Sequence, residues 1–205
     1  METYFADFRG ENRIAWHSHY SLWIEIGWMG DDQFKKTCTA LWTHPSVEGC
    51  YVSLDTEPSA QLQISPLEVW GYDPYGLITL PNGARVACTT DLFPEEHTSW
   101  YQFYMQIGPI AKAYDVEFNV FLADTECWRK PLDDLLVDIA RRVFATQPFL
   151  GAHVGPDHRV VLEEASEITQ TGIPEQRVTG YLWPTEKGLE WHPPTEYGRL
   201  ELISW

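Results

Sequence analysis

The sequence predicts an α+β domain in which a mainly antiparallel sheet carries two principal helices on one face. Three observations lead there. Apolar residues recur at three- and four-residue steps over Leu132–Phe144, the helical period, and at two-residue steps over Tyr101–Ile107, the strand period. Turn residues then punctuate a series of further short apolar runs, at Asp73-Pro74, Pro81-Asn82-Gly83, Gly155-Pro156-Asp157 and Pro193-Pro194.

Taken in chain order, Leu22–Trp28 alternates as a strand with Leu22, Ile24, Ile26 and Trp28 inward. A helix follows Asp31-Asp32, with Phe34, Cys38, Leu41 and Trp42 on one face and Pro45 as its stop. Short strands are expected near Cys50–Leu54 and Ala84–Cys88. In Tyr101–Ile107 the residues Tyr101, Phe103, Met105 and Ile107 face inward, and Val116–Leu122 repeats the pattern. The principal helix is expected to start at Pro131, whose fixed φ suits a first helical position. Asp133 and Asp134 lie at its positive end, Arg141 and Arg142 at its negative end, and Pro148 beyond it. Strands near Arg159–Leu162, Arg177–Leu182 and Arg199–Ile203 complete the reading.

All 205 residues are expected to form one domain. Within it, Tyr20–Gly27 (YSLWIEIG) aligns without a gap on Tyr101–Gly108 (YQFYMQIG), and each is followed by a Pro-terminated helix and a Gly-led apolar run. Two readings stay open: a duplicated strand–helix–strand unit spanning 18–60 and 99–165, or the likeness any two amphipathic strand–helix pairs share.

Composition narrows the function classes. Thirty acidic against 14 basic side chains give a formal charge of −16, which repels nucleic-acid phosphates and anionic membrane surfaces and attracts a basic protein. Ten Trp, ten Tyr and nine Phe supply more stiff apolar surface than one core ordinarily needs. The N-terminal run lacks the basic flank and apolar core of a secretory signal, and no stretch reaches membrane-spanning length. Cys38, Cys50, Cys88 and Cys127 show no Cys-x-x-Cys spacing. Reduced thiols and a cytoplasmic location are the expectation.

Catalytic signatures are missing: there is no Gly-x-Ser-x-Gly elbow, phosphate-cradling glycine loop or dinucleotide fingerprint. The residues best suited to a metal are His17 and His19, two apart and hence on one strand face, with Glu25 on the same parity. With Gly10 and Gly30 they resemble in part the first motif of the cupin family, which implies a metal held by two histidines and a glutamate in a jelly-roll barrel. The spacings depart from that motif. Six residues separate Gly10 from His17 where the family has five, and five separate His19 from Glu25 where it has three or four; a helix at 132–144 also departs from a barrel. His153, Asp157 and His158 in Gly151–His158 read as turn chemistry or as a base or ligand set.

The reading preferred on sequence is a non-catalytic acidic binding protein without cofactor. Its concrete form is an immunity or antitoxin-type inhibitor that masks a basic toxin or nuclease domain. Acidic pairs beside aromatic residues nominate Glu95, Glu96, Trp100, Trp128, Glu163 and Glu164 as partner-binding, because aromatic anchors supply affinity while carboxylates steer a basic partner. The alternative is a metal-dependent enzyme or sugar-binding protein using His17, His19 and Glu25.

Overall fold

The computed structural model describes residues 3–4, 19–28, 30–52, 56, 58–66, 74–115, 126–156 and 164–197. In these, the strands β1 (Thr3–Tyr4), β2 (His19–Glu25), β3 (Val47–Tyr51), β4 (Tyr75–Thr79), β5 (Arg85–Pro94), β6 (Ser99–Gln106), β7 (Gly151–Pro156), β8 (Gly180–Thr185) and β9 (Gly188–His192) join in one sheet of order β3-β4-β5-β6-β2-β7-β8-β9. Every neighbouring pair on that path is antiparallel, and β1 adds a short parallel pairing to β5. The helices are α1 (Asp31–Trp42), α2 (Ile107–Ala113), α3 (Glu126–Thr146) and α4 (Ala165–Thr171). The chain is thus α+β, as its periodicities predict.

Strand alternation puts Tyr20, Leu22 and Ile24 of β2, Tyr101, Phe103 and Met105 of β6, and Ala152 and Val154 of β7 on one face. There they form a single core with Leu41 and Trp42 of α1 and Leu132, Leu136, Ile139 and Val143 of α3. At roughly 1.5–3 kcal/mol for each large apolar side chain buried, this layer supplies most of the driving force for folding. On β8 Leu182 continues the core, and Trp191 of β9 lies across Gly180, where an added Cβ would collide with its ring. Glycine is required there by contact alone.

Several elements differ from their sequence expectation. Helix α3 begins at Glu126 instead of following Pro131, so Pro131 is interior and leaves the Cys127 carbonyl without its helical partner. The extra turn forms because it buries Trp128 and Arg129, at 2% and 0% exposure. Strand β2 ends at Glu25, and Trp28 is 80% exposed instead of inward, because Gly27 at φ +62° turns the chain out of the sheet toward α1. Ile107 opens α2 instead of ending the strand before it. Gly151–Pro156 is a fully buried strand, β7, instead of a turn. The strands expected at Val116–Leu122, Arg159–Leu162 and Arg199–Ile203 lie outside the described residues.

The sheet does not confirm a duplication. The first unit, β2–α1–β3, spans three intervening strands, whereas β6–α3–β7 spans one, β2 itself.

Candidate functional site

Of the acidic groups nominated by sequence, Glu95, Glu96 and Glu164 converge at one end of the sheet, where β2 and β5 finish and β6 and β7 begin. The carboxyl of Glu25, the last residue of β2, is only 3% exposed. It accepts a hydrogen bond from the Thr98 hydroxyl at 3.1 Å and another from the Ala165 backbone N–H at 2.6 Å. One side chain therefore joins the β5–β6 hairpin to the start of α4 across the end of β2. Burial raises the Glu25 pKa above the ordinary carboxyl value; the two hydrogen bonds oppose that shift, and the nearby Glu164 and Glu95 charges add to it.

Glu95 and Glu96 occupy the exposed hairpin tip, closed by the Glu95 N–H donating to the Thr98 carbonyl at 2.9 Å. Glu164 is half-buried and starts α4 with a reciprocal cap, in which its own N–H donates to the Glu167 carboxylate at 3.2 Å. Glu163 lies outside the described residues. Asp31 and Asp32, exposed in the first turn of α1, belong to the same end because α1 follows directly on β2. Repulsion among these carboxylates costs stability and makes an intense negative field.

The aromatic half of the nomination is distributed differently. Trp100 and Trp128 are 1% and 2% exposed, on opposite faces of the sheet: Trp100 packs edge-on to His153 at 5.5 Å, and Trp128 to Tyr20 at 5.7 Å. Neither offers its ring to a partner in this arrangement. The apolar side chains that stand out at the acidic end are Trp28, Phe93 at 41%, Leu92 at 38% and Leu150 at 49%. Phe93 lies beside Trp23, with ring centroids 5.2 Å apart. The Trp28 corner is held by Ile26 N–H donating to Ser99 O at 2.9 Å, and by the Gly30 N–H donating to the Gln33 side chain at 3.0 Å. Gly27 was the available sequence signal for an outward Trp28, since a strand ending there has no inward position left for residue 28.

The metal set is not assembled. His17 is outside the described residues. His19 and Glu25 sit at opposite ends of β2, six residues and about 20 Å apart at a strand rise of 3.3 Å, too far to share an ion. His19 instead stacks against Tyr104 at 4.4 Å. Among the described residues no group of three or more His, Cys, Asp or Glu side chains could hold a metal. His153 is buried between Trp100 and Tyr181; Asp157 and His158 lie outside the described residues.

A second polar cluster, unmarked in the sequence, lies under α3. The Tyr20 hydroxyl donates to Asp133, the Tyr197 hydroxyl donates to the other Asp133 oxygen at 3.3 Å, and Arg129 Nε is 3.5 Å from the Tyr20 hydroxyl. Arg129 also donates from Nη2 to Val178 O at 2.6 Å and lies 4.9 Å from the centre of the Tyr197 ring. Burial pushes the Asp133 carboxyl up to about 7, against the lowering effects of the Tyr20 bond and Arg129. Perturbed groups of this kind mark many active sites. Here Tyr20 and Arg129 are fully enclosed and Asp133 is 1% exposed, so no substrate atom reaches them in this conformation.

No protein-family model, curated protein or solved structure matches the chain.

Proposed function

We propose that the chain is a non-catalytic binding module that captures a basic protein through the acidic end of its sheet, and most concretely an immunity or antitoxin-type inhibitor masking a basic toxin or nuclease domain. The observation that carries this reading is the exposure of Trp28, Phe93, Leu92 and Leu150 among Glu95, Glu96, Asp31 and Asp32. Exposed aromatic surface ringed by one sign of charge is what a high-affinity interface to an oppositely charged partner needs, because the rim steers encounter and the rings hold the complex. Glu25 supports the arrangement by fixing the hairpin and α4 to β2. The metal-enzyme alternative loses support from the separation of His19 and Glu25.

A cytoplasmic site of action accompanies this proposal. All four cysteines are free thiols, three of them buried, and burial drives the Cys38 and Cys50 pKa values up to about 11 and about 12, which keeps them protonated and unreactive. No described helix is long and apolar enough to cross a membrane.

The test is a pull-down with the purified chain, followed by binding kinetics of any basic partner recovered, at two salt concentrations. Association should slow as salt rises, since exposed charges are screened within roughly 8 Å at physiological ionic strength. The paired substitutions Glu95→Lys and Glu96→Lys should reduce the on-rate, whereas Trp28→Ala should raise the off-rate, at about 2 kcal/mol or roughly 30-fold for a buried Trp anchor. Salt-independent association, or the absence of any basic partner, would sink the reading.

A further inference from the structure

The helix layer carries a groove of opposite character to the acidic end. Helices α1 and α3 run antiparallel, since His44, just past α1, meets Asp138 at 3.0 Å and Thr43 meets Arg142 at 3.5 Å, while Lys35 and Lys36 share a cleft with Ala145 and Thr146. That cleft, of about 460 Å3, is lined by the small side chains of Ala40, Ala145, Thr39, Thr43 and Thr146 together with Lys35, Lys36 and Arg142. Its size falls in the range of ligand clefts, roughly 300–1,000 Å3.

Charge in the groove runs against the rest of the molecule. The chain has only 14 basic residues against 30 acidic ones, yet the charged side chains that line this cleft, Lys35, Lys36 and Arg142, are all cations. Outside the cleft, Arg85 is paired with Glu48, and Lys130, in the first turns of α3, with Glu126. Lys35, Lys36 and Arg142 have no carboxylate within ion-pair distance among the described residues. Small side chains in the lining allow a third helix to approach closely, and the three cations select carboxylates on it.

We propose that the α1–α3 groove binds an acidic amphipathic helix of a protein partner. Charge complementarity selects the carboxylates, and the small lining of Ala and Thr methyl groups admits the apolar face of an amphipathic helix. A second copy of this chain is a poorer occupant: among the described residues α1 and α3 already spend their apolar faces on the sheet, and α4 is seven residues long with a single acidic side chain, Glu167.

The probe is a fluorescently labelled synthetic helix about four turns long, with Leu on one face and Glu on the other, titrated against the purified chain by anisotropy at low salt. The double variant Lys35→Glu, Arg142→Glu should bind it at least tenfold more weakly than wild type, with unchanged circular dichroism. The variant Glu95→Lys, Glu96→Lys should not weaken it, which separates this groove from the acidic end. The same helix with Lys in place of Glu should be indifferent to the groove variant. Equal binding of the acidic helix to wild type and groove variant would overturn the proposal, as would no binding to either. A wild-type dimer in sedimentation that the groove variant dissolves would also overturn it, in favour of a second copy.

Discussion

The two faces of the sheet are both buried, but by different chemistry. On the helix side β2 contributes Tyr20, Leu22 and Ile24, and α1 and α3 cover them with Leu41, Trp42, Leu136 and Val143. On the other side the same strand contributes Ser21, Trp23 and Glu25, in a layer with Trp100, Gln102, His153 and Tyr181. Ser21, Glu25, Gln102 and His153 are each under 5% exposed. The first face is held mainly by non-directional burial, with the Tyr20, Tyr197 and Asp133 hydrogen bonds as its polar exception. The second depends on partners: Gln102 donates to Ser21 at 3.0 Å, and Thr98 and the Ala165 N–H serve Glu25. A substitution at Leu22, Ile24 or Leu136 on the helix side therefore changes how much apolar surface is buried, whereas one at Ser21, Glu25 or Gln102 on the other side orphans a polar group.

The sharpest way to break the comparison is Leu136→Asp. Leu136 is fully buried on α3, and a carboxylate there costs several kcal/mol, comparable to the whole stability of a domain. The variant should be insoluble or unfolded by circular dichroism; a soluble protein with the wild-type melting curve would refute the core assignment.

Next in size is the pH dependence from Asp133, the one buried carboxyl on the helix side among the described residues. Its folded pKa of about 7 lies above the ordinary value of 3.8. The folded state thus holds the proton more tightly than the unfolded state does. Its contribution to stability is fully present below about pH 4 and is lost as pH rises through 7, at roughly 1.4 kcal/mol per pH unit at most. Urea midpoints measured from pH 5 to 8 should fall more steeply for wild type than for Asp133→Asn; parallel curves would show that Asp133 does not titrate in this window.

Glu25→Gln probes the opposite face. One hydrogen-bonded carboxylate oxygen is replaced by an NH2 that cannot accept, at a cost of about 1–3 kcal/mol. Hydrogen exchange should speed at Ala165 and in the β5–β6 hairpin before it speeds at Leu22 or Phe103. Uniform acceleration would mean that Glu25 does not act as a local staple.

The smallest effect is expected from His17→Ala combined with His19→Ala. Losing the His19 contact to Tyr104 should shift stability by about 0.5–1 kcal/mol, with metal content of the purified protein at background. A bound ion lost in this variant would restore the metal reading.

Elements with a strong period were legible in the sequence: α1 after Asp31-Asp32, the body of α3, and the alternating cores of β2 and β6. Strand β7, GAHVGP, was legible only as the closing run of the suspected strand–helix–strand unit and otherwise read as a turn, because it lacks alternation and carries Gly and Pro. It is a strand because β2 and β8 pair with it on both sides, and its glycines make room for neighbours: a Cβ on Gly151 would meet the Trp183 ring at 3.3 Å, and one on Gly155 would meet Thr179 at 3.3 Å. Helix α2 was hidden by Gly108 and Pro109, yet Pro109 falls in the first turn, where its missing N–H has no helical partner to lose. At the acidic end, Glu95 and Glu96 are exposed as their sequence context suggests, but the sequence reading turned Trp28 inward and put the exposed rings at Trp100 and Trp128, because a period of two says which face a residue takes and not where the strand ends.

By itself, the sequence determined the periods, and through them the α+β class and the apolar face of each long element, because those follow from local spacing along the chain. The net charge of −16 was equally its own. Only the tertiary structure decided that β2 lies between β6 and β7, that Glu25 meets Thr98 and Ala165 from 73 and 140 residues away, and that Trp28 is outside while Trp100 and Trp128 are inside. Those outcomes depend on pairings between distant segments, whose free energy comes from burial and hydrogen bonds that exist only once the sheet has closed on its helices.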